Sequence, residues 1–138
     1  MKSLSHLLDT SIFCQPIKNS PHPAVMEKWS SLGDEATCTS AICVAEILQG
    51  LEERNSQKYW NRYRAILENQ YPELPFDSGV AQVYSKLATE LKQAGRSKPV
   101  VDLMIAATAK RHGLIVATLN SRHFSDIPGL AFEDWARM

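Results

Sequence analysis

Apolar and polar positions alternate along this chain in short, distinct blocks. Residues 6–9 form a brief apolar run that ends in Asp9-Thr10-Ser11, which predicts a strand running into a loop. Pro23 to Leu32 reads as a helix with Gly33 as its stop signal. Ala36-Thr37-Cys38-Thr39 is a second strand candidate. Ser40 then suits the N-cap of a helix carrying Ile42, Ile47, Leu48 and Leu51. From Gln57 to Gln70 the pattern predicts an exposed helix, with Trp60, Tyr63 and Leu67 on one face and Lys58, Arg62 and Arg64 on the other.

Pro72 and Pro75 bracket Leu74 and Phe76, read as a short third strand. Ser78 to Gln93 is amphipathic through Val80, Val83, Tyr84, Leu87 and Leu91, and Gly95 ends it. Lys98-Pro99 opens a further helix that runs to about His112, with Gly113 closing it. Leu114 to Thr118 is a continuous apolar run of the kind a central parallel strand requires, and a last strand is expected near Leu130-Ala131-Phe132. Strands alternating with helices predict an α/β domain whose parallel sheet is covered on both faces. The length suits one domain, taken as residues 1–138.

Three of the apolar blocks contain a carboxylate. Asp9 follows His6-Leu7-Leu8, Glu46 lies within Ala41 to Leu48, and Asp102 lies within Val100 to Ala107. A carboxylate in a core is seldom tolerated without a partner, and none of these blocks holds a Lys or Arg. If the blocks pack together the acids meet one another, and a divalent metal between them is the simplest resolution. Singly, each has a plainer reading: Asp9 as a turn acid, Glu46 as a helix residue reaching solvent, Asp102 as an acid favoured by its helix N-terminus.

Charge and cysteine content narrow the function. Lys plus Arg and Asp plus Glu are both 15, so the formal net charge is zero, which excludes a protein that coats nucleic acid non-specifically. A nuclease touching a few phosphates remains compatible. Cys14, Cys38 and Cys43 lack zinc-site spacing and read as small buried hydrophobes of a reducing compartment. No apolar stretch reaches the length that spans a bilayer, and Asp9 interrupts the N-terminal segment Met1 to His6 before a signal peptide could form. The expected location is the cytoplasm, with no membrane partner.

The joint pattern resembles a known family. Leu7-Leu8-Asp9-Thr10-Ser11, with Thr39-Ser40-Ala41-Ile42 and Ala45-Glu46-Ile47-Leu48-Gln49-Gly50-Leu51, resembles the first two motifs of PIN-domain ribonucleases. Asp102 to Ala109 followed by His112-Gly113-Leu114 resembles the third, and Thr118-Leu119-Asn120-Ser121-Arg122-His123-Phe124 with Ile127-Pro128-Gly129-Leu130 the fourth. The chain is most similar to VapC-type toxins of toxin–antitoxin pairs. The resemblance implies a three-layer α/β/α domain whose five-stranded parallel sheet has the order 3-2-1-4-5. It implies Mg²⁺- or Mn²⁺-dependent cleavage of RNA, a small antitoxin partner that blocks the acidic site, and a homodimer.

Carried over by motif, Asp9, Glu46 and Asp102 are the expected metal-site acids, Asp9 and Asp102 closest to the ion and Glu46 direct or through water. Many relatives have a further acid after the fourth strand. Here Asn120 stands there, with Asp126 in the following loop. Thr10, Ser11, Thr118 and Asn120 are candidates to hydrogen-bond the scissile phosphate or metal waters. Arg96, Lys98 and Arg122 are candidates for RNA phosphates. His112 and His123 read as structural, and Trp29, Tyr59, Trp60, Tyr63 and Tyr71 as packing residues. Two other readings share this pattern: a housekeeping RNA-processing nuclease, and an inactive scaffold whose acids hold a structural cation.

Overall fold

The computed structural model describes residues 3–137; Met1 and Lys2, part of the segment read above for a targeting signal, lie outside the described residues, as does Met138. Five strands, β1 (His6–Leu8), β2 (Thr37–Ser40), β3 (Glu73–Leu74), β4 (Ile115–Thr118) and β5 (Phe132–Asp134), pair in parallel in the order β3-β2-β1-β4-β5. This is the expected order. The helices are α1 (Thr10–Phe13), α2 (Pro23–Leu32), α3 (Ala41–Arg54), α4 (Gln57–Ile66), α5 (Ser78–Gln93) and α6 (Val100–Arg111).

Successive side chains of a strand point to opposite faces, and β1 divides the core accordingly. Leu7 packs with Leu87, Leu91, Ile105 and Val116 beneath α5 and α6. Leu8 packs with Ile12, Val25, Trp29 and Tyr63 beneath α1, α2 and α4. Helix α3 contributes to both sides, Cys43 to the first and Ile47 and Leu51 to the second. Ser40 ends β2 and caps α3, its hydroxyl accepting from the Cys43 amide at 3.1 Å. Gly50 sits in the interior of α3 with nothing within 4 Å of where a Cβ would lie.

Several boundaries differ from expectation. The helix expected to reach Gln70 stops at Ile66, and Asn69 just beyond has a left-handed backbone (φ 59°) that cannot continue it. The last strand lies at Phe132–Asp134, because pairing with β4 sets Val116 opposite Phe132 and Thr118 opposite Asp134. The third strand is only Glu73–Leu74, held by its register with Thr39 and Ser40, and Phe76 instead packs against the core. The expected strand at 36–39 is displaced to Thr37–Ser40, since Ala36 closes a 3₁₀ turn. The loop expected after Asp9 is helix α1. Among the described residues no helix is long and apolar enough to cross a membrane.

Candidate active site

The strand order reverses between β1 and β4, and ligands of open parallel sheets bind beyond the strand ends at such a point. Asp9 is the residue immediately after β1. Its backbone amide donates to the Ala117 carbonyl at 3.1 Å, prolonging the pairing with β4. Its side chain caps α1: Oδ1 accepts from the Ile12 amide at 3.2 Å and from the Ser11 hydroxyl at 2.6 Å. Ser11 Oγ in turn accepts from the Leu119 amide at 3.0 Å, so one hydroxyl joins the ends of both strands to the carboxylate. Only 5% of Asp9 is exposed. Burial pushes its pKa up to about 6, against the lowering effect of the Ser11 and Thr118 hydroxyls and the Ile12 amide, with the Asp102 charge adding to the rise.

Asp102 enters from the first turn of α6, half-buried. Its pKa is also raised, first by desolvation; His123 and Lys98 oppose the rise and Glu46 adds to it. Glu46 comes from α3 and, contrary to its apolar sequence setting, is exposed. The buried stripe of α3 is Cys43, Val44, Ile47 and Leu51, and Glu46 lies about a third of a turn from its centre. The Thr10 hydroxyl donates to Glu46 Oε1 across the gap between α1 and α3.

These groups share one open cleft of about 540 Å³, whose walls include Asp9, Thr10, Ser11, Glu46, Asp102 and Asn120. His123, read from sequence as structural, is also on this wall, its Nδ1 3.1 Å from Asp102 Oδ2. The 3₁₀ turn Ser121–His123 after β4 swings it in. Its place three residues beyond Asn120, past a strand end at the reversal point, is the signal that marks it. Thr118 is buried below the cleft, its hydroxyl accepting from the Asn120 amide at 2.8 Å. Lys98 donates to the Arg122 carbonyl at 2.7 Å. Arg96 lies away from the acids, in a depression formed with Leu91, Lys92, Ser97 and Lys98. Asp126 takes a left-handed turn conformation (φ 65°) in the following loop, and His112 caps the end of α6. The cysteines are free, Cys38 and Cys43 buried and Cys14 partly so.

The PIN domain family profile matches residues 6–130. The chain belongs to the PIN domain family. The tRNA(fMet)-specific endonuclease VapC of Shigella flexneri is 32% identical over 136 residues, covering 96% of this chain and 99% of that protein. Toxin FitB of Neisseria gonorrhoeae is 33% identical, covering 94% of this chain and 97% of that one. Among solved structures, FitAcB from Neisseria gonorrhoeae superposes with a TM-score of 0.85 at 31% identity, covering 96% of this chain and 99% of the other. DNA-bound VapBC from Salmonella typhimurium gives 0.82 at 30%, with 96% and 98% covered.

Whether this PIN domain suits a divalent cation can be judged from its donors. Among the described residues, no three His, Cys, Asp or Glu side chains are gathered tightly around one point. The donor chemistry nevertheless fits a hard ion: three carboxylates and an amide oxygen on one open cleft, with Asp9 and Asp102 each destabilised in part by a neighbouring carboxylate. Such spacing suits an ion that keeps several of its waters, as Mg²⁺ does.

Proposed function

We infer that this PIN domain is a divalent-metal-dependent endoribonuclease and the toxin of a toxin–antitoxin pair. The observation that carries the chemistry is the convergence of Asp9, Glu46 and Asp102, from three distant segments, on one cleft at the strand ends. The assignment as a toxin is supported by relatives named VapC and FitB, and by their solved complexes, over nearly the whole chain.

Asp9 and Asp102 are the residues that would hold Mg²⁺ or Mn²⁺ most closely, with Glu46 bound directly or through water. The ion, when bound, supplies positive charge beside the phosphate and acidity to a coordinated water. Asp9 cannot swing, because Ser11, Ile12 and the strand pairing fix it, so its charge is set in place before substrate arrives. Glu46 is exposed and steadied by Thr10, the arrangement needed to accept a proton from the attacking water. Asn120 offers a neutral oxygen to orient that water. Ser11 and Thr118, already engaged around Asp9, act through its position, whereas Thr10 can also meet the phosphate. Lys98 and Arg122 flank the Asp102 side of the cleft and are suited to the phosphates leaving it, with Arg96 further out.

Purified protein is expected to cut labelled single-stranded RNA with Mg²⁺ or Mn²⁺ and to stop when EDTA is added. The protein encoded directly upstream should bind it and suppress cleavage, and light scattering should show a homodimer. Cutting that continues in EDTA, or no cutting of any RNA with either ion, sinks the nuclease reading.

A further inference from the structure

The acid cleft does not end at Glu46. Thr10, Cys14 and Glu46 form a rim shared with a groove of about 230 Å³ that runs along α3 past Gly50 to Arg54 and Tyr59, floored by the apolar Ile17, Ile47 and Leu51 and with Lys18 on its wall. The guanidinium of the exposed Arg54 lies 3.9 Å over the Tyr59 ring and donates to the Tyr59 hydroxyl at 3.1 Å. Arg62 and Lys58 lie 5.2 and 5.6 Å from the same ring. Cation–π contacts arise about once per 70–80 residues, so three on one ring mark a concentrated feature. None of the ion pairs among the described residues engages Lys18, Arg54, Lys58 or Arg62. In a chain of zero net charge this is a local positive field beside an acidic centre.

We propose that this groove is the subsite for RNA nucleotides adjoining the cleaved phosphate, with a base stacked on the Arg54 guanidinium and the backbone drawn along Lys18 and Lys58. The proposal rests on the ribonuclease reading. A strand with one phosphate at Asp9 and Asp102 must leave the cleft on some side, and the side beyond Glu46 combines a planar cation, an aromatic ring and unpaired positive charge. Single-stranded nucleic acid is held by that combination. Ile17, Ile47 and Leu51 give the groove an apolar floor against which the face of a base can lie, while the cations at its rim meet the backbone. Arg62 also donates to the Ile17 carbonyl and to Asn19 Oδ1, at 3.0 and 2.9 Å, and so holds the groove wall bearing Lys18 in place.

The test is fluorescence anisotropy of a labelled oligoadenylate decamer, with every variant made on an Asp102→Asn background and Mg²⁺ present, across a salt series. Arg54→Ala is expected to weaken binding roughly tenfold, the range of a lost base stack, and to reduce the slope of log affinity against log salt by about 0.7. Arg54→Lys should keep the slope yet lose about fivefold, because an ammonium cannot stack. Gly50→Leu should weaken binding with no change of charge, by filling the groove floor where a Cβ meets nothing. Lys86→Ala, on α5 across the sheet, should change neither quantity. Arg54 variants and Gly50→Leu that bind within about twofold of the parent, at the same slope, overturn the subsite. So does loss of antitoxin binding in Gly50→Leu with RNA affinity intact, which assigns the groove to a protein partner. A parent that binds no decamer while the unaltered protein cuts RNA with Mg²⁺ or Mn²⁺ overturns the subsite alone; an unaltered protein that cuts no RNA removes the ribonuclease reading as well.

Discussion

Asp9→Asn is expected to lower metal-dependent RNA cleavage by about a hundredfold or more, the scale on which one catalytic group counts, while the fold survives. The two parts of this result have separate causes. Asp9 is the N-cap of α1, and asparagine is as good a cap as aspartate, so the bond from the Ile12 amide is kept. The charge is lost, and with it the group placed most rigidly to hold a cation. Asp102→Asn should behave alike in activity, although it also weakens the contact with His123. The measurement is kcat/KM at saturating Mg²⁺, with far-ultraviolet circular dichroism as the check on folding. An Asp9→Asn protein that keeps cleavage within about fivefold of the parent shows that the reacting phosphate lies elsewhere.

The metal-free protein is expected to lose stability as pH rises from about 4 to about 6. The Asp9 pKa is raised from 3.8 to about 6 by burial, so the folded state binds the proton more tightly than the unfolded chain. That contribution is fully present below the unfolded pKa and is lost as pH climbs through the folded one. At 1.36 kcal/mol per pKa unit the loss is roughly 3 kcal/mol, and it corresponds to about 10 °C of melting temperature in a domain of this size. The raised Asp102 pKa acts in the same direction. Glu133 acts oppositely: it is desolvated, but hydrogen bonds from Trp135 and His6 outweigh this and lower its pKa, so its contribution is lost as pH falls. Comparing parent with Asp9→Asn in EDTA isolates one group, and the variant should melt higher at pH 7. Divalent metal should raise the parent and flatten its pH profile through binding to the folded state. Two proteins with superimposable melting temperatures from pH 4 to 7 would mean that the Asp9 carboxylate carries no such penalty.

What could be read in advance depended on the length of each signal. Helices α2 and α5 each have a face long enough for the 3.6-residue period to show, and their ends match expectation. Helix α1 has four residues, less than the period needs to declare itself; it forms because Ile12 and Phe13 are buried and Asp9 caps it. Strands β3 and β5 are set by the neighbours they pair with, and their own residues carry little pattern. At the site, Asp9 and Asp102 stood out as acids in apolar blocks, and both are partly or fully withdrawn from water. Glu46 stood out for the same reason yet is exposed, because a block apolar in sequence need not be buried around its whole circumference. His123 could not be paired with Asp102 in advance, since the turn that joins them depends on where β4 ends.

Gly50 gives helix α3 a trade-off between endurance and use. A glycine inside a helix costs about 1 kcal/mol relative to alanine, and here no neighbouring atom claims the vacant Cβ position. An alanine should therefore harden the protein against heat by roughly 3 °C while narrowing the floor of the groove beside the acids. Selection for thermal tolerance alone would find that substitution easily, and the same change would then appear as a weaker grip on whatever lies in the groove.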